Sequence, residues 1–411
     1  MGDTQALDIA RLGAQGDGVA DTPAGPVFVP YVLADERVQA DVRGERARLV
    51  AVLNPSPNRI APICRHFTHC GGCALQHVER GTYLAWKRDV VATSFGARGI
   101  LAPVGHVVTV GLGARRRATF SARRSGRSVV LGFFEARGNE IVDLQECPVT
   151  ASTIVRALPG LKRLIEPLVT QKFPVRLTVT LAANGLDVAL DDVPGNPSPE
   201  VRERVAREAA AAQLARVTIA GDTLYQSTIP TVRFGDANVV LPARAFLQAA
   251  PAAEAEMVRL VTAAVGPAKR VADLFCGLGT FTFPLAKRSA VLAVDGDKRA
   301  IEALANAAKR TPGLKPIETK SRDLFREPLS GKELESFDAV VFDPPRAGAA
   351  AQASALAASK VQTVVAVSCN PATLARDARI LIDGGFTLET VTPIDQFLFS
   401  PHIEAVAVLR R

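Results

Sequence analysis

Long apolar runs are missing from this 411-residue chain. None approaches the roughly 18 consecutive apolar residues of a membrane span, so no membrane association is expected. Met1 to Ala20 is polar and glycine-containing, without the apolar core of a secretory leader, and a cytoplasmic location follows as an expectation. Aromatic residues make up only 5% of the chain. They are too few to interleave its basic runs, which supports backbone contact with a polyanion over stacking on bases. The G-x-G-x-x-G fingerprint of dinucleotide-binding domains is absent, and no repeat or low-complexity tract stands out.

What is present points to several domains and a nucleic-acid partner. The length exceeds what one core usually organises, so two or three domains are expected. Formal net charge is +8, and much of the excess is arginine, whose forked donors suit phosphate. Arg115, Arg116, Arg117, Arg123, Arg124 and Arg127 cluster within one segment of alternating polar and apolar character. The plainer reading is a basic surface without a specific partner.

Three regions follow from the patterning. Leu7 to Leu53 alternates in period two (Val27, Val29, Tyr31; Val38, Ala40, Val42; Ala47, Leu49, Ala51) between glycines, which predicts a small antiparallel β-barrel closed by Pro55 and Pro57. Residues 58–238 form a mixed, β-rich middle. It holds a cysteine-rich stretch, a helix near Tyr83 to Thr93, strands at Val129 to Phe134 and Val175 to Leu181, and a charged helix over Pro199 to Leu214. From Val239 to the C-terminus apolar runs alternate with helical segments. Val271 to Phe275, Ala290 to Val294, Ala339 to Phe342 and Val364 to Val367 read as buried parallel strands of a doubly wound α/β sheet. Phe386 to Val391 and Ile403 to Leu409 are too close for a crossover helix, so an antiparallel hairpin should end the sheet. That ending resembles the class I methyltransferase fold.

The chemistry-bearing residues sit at the strand ends of this last region. Asp273-Leu274-Phe275-Cys276-Gly277-Leu278-Gly279-Thr280 occupies a strand-to-helix turn where glycines let backbone approach a ligand, and Asp295 closes the next strand, where a carboxylate takes ribose hydroxyls. Without the dinucleotide fingerprint, S-adenosylmethionine is favoured over NAD. Asp343 precedes two prolines that stiffen a loop at the crevice mouth; Arg346 stands where amine-modifying enzymes carry an aromatic clamp. The chemistry therefore falls to Cys369, in Ser368-Cys369-Asn370-Pro371. A thiolate adding to carbon 6 of uracil makes carbon 5 nucleophilic toward a sulfonium methyl, and a base must then remove the carbon-5 proton. Glu404, on an apolar C-terminal strand, is the candidate base, because burial raises a carboxyl toward a useful pKa. The alternatives are a structural cysteine and a solvent-facing carboxylate. Cys276 has no role in this chemistry and is expected to pack.

Cys64, Cys70, Cys73 and Cys147 follow a C-x5-C-x2-C spacing with a distant fourth member. Four thiolates can hold either zinc or an iron–sulfur cluster, and disulfides are not expected in a reducing compartment.

Asp273 to Phe281, Asp343 to Arg346, Ser368 to Pro371, Phe246-Leu247-Gln248 and Pro401-His402-Ile403-Glu404 together resemble the bacterial RNA (uracil-5-)-methyltransferases over nearly the whole chain. The resemblance implies Cys369 as nucleophile and Glu404 as proton-abstracting base. It implies Gln248, Phe275, Thr280, Asp295 and Asp343 as S-adenosylmethionine contacts, with Asp323 reaching the adenine. Thr280 and Asp295 stand where that family commonly has Asn and Glu. The resemblance further implies a [4Fe–4S] cluster on the four cysteines and the 23S ribosomal RNA branch. It makes residues 1–57 similar to a TRAM domain, an OB-like RNA-binding module, with 58–238 a central RNA-binding domain and 239–411 the methyltransferase domain. Arg115, Arg116 and Arg117 are then RNA contacts, no DNA partner is expected, and a monomer is favoured. Rival readings are a transfer RNA uracil-5 methyltransferase, a non-catalytic RNA-binding or ribosome-assembly factor, and a redox protein built on the cysteines.

Overall fold

The computed structural model describes residues 3–411. Its N-terminal part is a six-stranded sheet in the order Asp3–Asp8, Arg37–Arg43, Arg46–Asn54, Gly25–Val29, Gly18–Thr22, Arg11–Leu12. The period-two alternation works as expected: Leu7, Val27, Val29, Val38, Ala40 and Ala47 bury one face. Among the described residues the two edge strands do not pair with each other, so the sheet is a half-barrel, consistent with the OB-like barrel expected from the alternation.

The middle builds a seven-stranded sheet, from Ile141–Asp143 at one edge to Asp222–Gln226 at the other, with Arg117–Ser125 and Val175–Ala182 paired antiparallel near its centre. Helices Ser152–Ile165 and Pro199–Ala211 cover it, burying Ile154, Leu158, Leu161, Val205 and Ala209.

The C-terminal sheet has eight strands in the order Ile317–Ser321, Ala290–Asp295, Arg270–Leu274, Ala339–Phe342, Thr363–Ser368, Glu404–Arg410, Thr387–Asp395, Val108–Thr109. The first five are parallel, and Glu404–Arg410 runs antiparallel to both its neighbours. The four parallel strands and the final hairpin thus lie where the apolar runs placed them. Ile317–Ser321 carries no apolar run because it is an edge strand with exposed Glu318, Lys320 and Ser321.

Packing extends across residue 239. Helix Arg80–Gly96 and the segment after it set Val91, Phe95, Ile100 and Val104 into the core of the C-terminal sheet, and Val108–Thr109 pairs with Ile394–Asp395. The hairpin of Thr231–Phe234 and Ala237–Val240 also packs there, against Leu278, Phe283 and Leu304. Part of the middle region is therefore structural support for the C-terminal sheet. Among the described residues no helix is long and apolar enough to cross a membrane.

Candidate active site

The strand Arg270–Leu274 ends in a turn that the backbone makes with left-handed residues: Phe275 at φ 59°, Gly277 at φ 53° and Gly279 at φ 96°. At Gly279 a Cβ would lie 2.8 Å from the Phe283 ring and 3.0 Å from Leu304, so only glycine lets the chain pass this close. Asp295, from the neighbouring strand, accepts the Gly277 N–H at 2.8 Å and the Asp297 N–H at 2.8 Å. It holds the turn in place and keeps lone pairs for a ligand. The Phe275 ring lies 5.4 Å from that of Phe325, and the exposed Asp323 accepts the Phe325 N–H at 3.0 Å. Phe275, Asp295 and Asp323 thus lie close together at the carboxyl ends of the neighbouring strands, the place where open α/β sheets bind ligands.

Asp273 is fully buried; Thr282 Oγ1 donates to its Oδ2 at 2.5 Å, while Oδ1 has no partner. Burial, with smaller help from Asp343 and Asp295, pushes this carboxyl up to about 7. Cys276 is buried among Leu278, Phe283 and Leu304, and burial raises its thiol well above the ordinary range, which suits packing and not chemistry.

Asp343 follows the strand Ala339–Phe342, and Cys369 follows its parallel neighbour Thr363–Ser368. Two side chains tie these loops together. Asn370 Nδ2 donates to the Arg346 carbonyl at 3.0 Å while Asn370 Oδ1 caps the following helix through the Ala372 N–H; Thr373 Oγ1 donates to the same carbonyl at 3.3 Å. The antiparallel register sets Ser368 opposite Ala405, which brings Cys369 beside Glu404. No sequence spacing contains that adjacency, since 34 residues (404 − 369 − 1) separate the two.

Electrostatics distinguish these groups from surface residues. Glu404 is 3% exposed, and burial followed by the neighbouring Asp343 pushes its carboxyl up to about 8, against the opposing effects of the Gln396 amide and Arg346. Burial, then Asp295, pushes Asp343 up to about 7. Burial also raises the Cys369 thiol to about 11; Glu404 and Asp343 add to this and Arg346 opposes it. The group is a thiol between two carboxyls, with one arginine near it.

Gln248 Nε2 donates to Asp343 Oδ2 at 3.0 Å. Gln396, which lies in no motif, donates from Nε2 to Gln248 Oε1 at 2.8 Å and to Glu404 Oε1 at 2.9 Å. His402 lies within 3.3 Å of the Arg346 guanidinium through Nδ1. Both residues sit on the loop joining the hairpin strands; their polar character was visible, but their contacts depend on the loop's path.

A cavity of about 1090 Å³ opens beside this site, lined among others by Tyr31 and Arg46 of the N-terminal sheet, Cys73, Arg115, Arg117, Gln396 and His402. Three parts of the chain therefore face one space. Arg116 does not. It is 8% exposed, donates to the Gln248 carbonyl at 3.0 Å and pairs with buried Glu254 at 2.5 Å. The expectation that all three arginines meet RNA is corrected here: Arg116 holds the segment that carries Gln248.

Cys64, Cys70, Cys73 and Cys147 line one small pocket together. Gly71 permits the tight path between the second and third, since a Cβ there would lie 2.9 Å from the Phe134 carbonyl. Among the described residues no group of three or more His, Cys, Asp or Glu is arranged to hold a metal ion. The four thiols gather without making a single-ion site.

Comparison with known proteins gives concordant results. Residues 238–411 match the family model described as tRNA (uracil-5-)-methyltransferase. An RNA methyltransferase of Caulobacter vibrioides, otherwise uncharacterized, is 48% identical over 99% of this chain and 100% of its own. The 23S rRNA (uracil(1939)-C(5))-methyltransferase of Chromohalobacter salexigens is 33% identical, covering 98% of this chain and 89% of its own. The crystal structure of a Pyrococcus abyssi tRNA (uracil-54, C5)-methyltransferase in complex with S-adenosyl-L-homocysteine superposes with a TM-score of 0.77 at 24% identity, over 98% of this chain and 100% of that one. At that identity the likeness bears on the fold.

Proposed function

This chain belongs to the RNA (uracil-5-)-methyltransferase family, and on that premise we propose that it methylates carbon 5 of a uridine in 23S ribosomal RNA through a covalent Cys369 adduct. The observation that carries the reading is the meeting of Cys369 and Glu404, brought together by strand register beside Asp343 in a largely buried site. The 23S assignment draws on the Chromohalobacter relative; a transfer RNA product is the other outcome the experiment distinguishes.

The crevice at Gly277 and Gly279 fits S-adenosylmethionine, which supplies an electrophilic methyl group. Gln248, Phe275, Thr280, Asp295, Asp323 and Asp343 would hold it, at the carboxyl ends of the central strands. Cys369 gives up its proton to water, its sulfur bonds to carbon 6 of uracil, and the ring's double-bond electrons move onto the carbonyl oxygen as an enolate. Carbon 5 would then take the methyl group as its bond to the sulfonium sulfur breaks, the electron pair leaving with S-adenosylhomocysteine. Glu404 removes the remaining carbon-5 proton, those electrons rebuild the carbon 5–carbon 6 double bond, and the sulfur leaves as thiolate. A carboxyl near 8 is poised to hold that proton and release it at physiological pH.

RNA enters through the cavity, gripped at its phosphates by Arg46, Arg115 and Arg117, with the N-terminal half-barrel acting as the TRAM-like module. The target base must leave its stack to reach the half-buried Cys369 thiol. Cys64, Cys70, Cys73 and Cys147 would hold a [4Fe–4S] cluster, a reading supported by four thiols lining one pocket. Anaerobically purified protein without acid-labile sulfide or stoichiometric iron would refute the cluster.

The function is tested by incubating purified protein with labelled S-adenosylmethionine and unmodified ribosomal and transfer RNAs, then mapping 5-methyluridine by mass spectrometry. Methylation of one 23S uridine by wild type and none by Cys369→Ser is the expected result. Product confined to transfer RNA would overturn the substrate assignment, and wild-type turnover by Cys369→Ser would overturn the covalent route.

A further inference from the structure

Gln396 is 3% exposed and lies between the two halves of the site, with every hydrogen-bonding position of its amide engaged. Its Oε1 accepts the backbone N–H of Ala249 at 2.9 Å and of Ala250 at 3.3 Å. Backbone N–H groups can only donate, so they fix which end of the amide is oxygen. Nε2 must then point away from them, toward Glu404 Oε1 at 2.9 Å and Gln248 Oε1 at 2.8 Å. Because Gln248 Oε1 is an acceptor there, its own Nε2 is the end that faces Asp343, at 3.0 Å. One pair of peptide groups thus sets the polarity of a chain running from the start of helix Pro251–Val265 to both carboxyls. Arg116 secures the near end by donating to the Gln248 carbonyl at 3.0 Å.

Two consequences follow for Glu404. Its Oε1 receives a hydrogen bond, so a proton taken by the carboxyl lands on Oε2. The carboxyl plane is also held by a side chain that has no freedom to turn. The ionisable groups facing Glu404 are Asp343, Arg346 and Cys369, and among the described residues none makes a hydrogen bond or ion pair with it. Gln396 is its hydrogen-bond partner.

We propose that Gln396 is a positioning residue that holds the proton-accepting Glu404 and the cofactor-facing Gln248–Asp343 pair in one fixed polarity, so that both halves of the reaction depend on a single amide. In the step it serves, the carbon-5–hydrogen bond breaks, the proton passes to Glu404 Oε2, and the electron pair re-forms the ring double bond as the Cys369 sulfur departs. This inference rests on the function proposed above.

The test uses Gln396→Leu and Gln396→Glu in the full chain. Turnover on unmodified target RNA is measured across pH, together with KM for S-adenosylmethionine and the rate of covalent adduct formation on RNA carrying 5-fluorouridine. Gln396→Leu is expected to lower kcat about 10-fold or more and to move the pH midpoint of turnover upward by about one pH unit, because a donor to the ionised carboxyl is gone. The same variant raises KM for S-adenosylmethionine. Gln396→Glu, which sets a second acid against Glu404, moves the midpoint further in the same direction. A residual fluorouridine adduct in both variants shows that the site is folded. A variant whose kcat falls while midpoint and KM stay put, or that moves only one of the two, overturns the coupling. Wild-type protein that makes no 5-methyluridine refutes the proposed function itself; wild-type activity with an unmoved Gln396→Leu profile refutes only this inference.

Discussion

Two buried carboxyls stand at facing ends of the C-terminal hairpin, Asp395 closing one strand and Glu404 opening the other, and their surroundings are opposite. Asp395 is fully buried and receives Lys87 Nζ at 3.0 Å and the Tyr83 hydroxyl at 2.6 Å. Lys87 is itself completely buried and also donates to the His402 carbonyl; the Tyr83 oxygen accepts the Phe399 N–H at 3.0 Å. Among the described residues Glu404 has no cation in contact and one amide donor. The paired carboxylate suspends the loop between the strands, and the unpaired one is left free to change charge. Burial alone does not mark a catalytic acid; what separates the two is whether a cation and further donors saturate the group.

The largest expected effect breaks the paired end. Lys87→Met leaves Asp395 buried without its counter-charge and should cost about 3–5 kcal/mol in denaturant unfolding. Glu404→Gln, compared near pH 5 where the buried carboxyl is still protonated, should change stability by less than about 1 kcal/mol. Similar losses in both variants would erase the distinction.

The same contrast has a pH signature. Glu404 at about 8, and Asp343 and Asp273 at about 7, lie above the ordinary carboxyl range, so across that interval the folded chain binds more protons than the unfolded one. Their contribution to stability is complete below the unfolded pKa and is lost as pH rises through the folded values. Melting temperature should therefore fall between about pH 5 and pH 8, while turnover rises as Glu404 ionises. A Glu404→Gln, Asp343→Asn double variant should flatten the melting curve, and an unchanged slope would contradict the assignment.

A smaller effect separates neighbouring arginines. Arg115→Ala and Arg117→Ala should weaken RNA binding and each reduce its salt slope by about one. Arg116→Ala should leave the salt slope alone and lower stability, since it strands Glu254. A salt slope that responds to Arg116 would return that residue to the RNA surface.

These residues also show how far the sequence could be read. The parallel strands were legible because burial on both faces writes continuous apolar runs such as Val271–Leu274 and Val364–Val367. Ile317–Ser321 was not, because an edge strand keeps polar side chains exposed, and Val108–Thr109 is too short to carry a pattern. Cys369 and Glu404 could be singled out from chemistry and local motif, though only the strand register brings them together. Arg116 carries a signal in its position: alternate residues of an extended segment face opposite ways, which separates it from Arg115 and Arg117. Gln396 and Lys87 had none, since an amide in a loop and a lysine on a charged helix acquire their partners only from tertiary packing.

The most direct measurement follows a uridine-containing 23S fragment with the Glu404→Gln variant and methyl-labelled S-adenosylmethionine, separated under denaturing conditions. The account predicts a methylated protein–RNA species attached at Cys369 that accumulates because its carbon-5 proton has no acceptor. Free 5-methyluridine product at the wild-type rate, with no attached species, would contradict it.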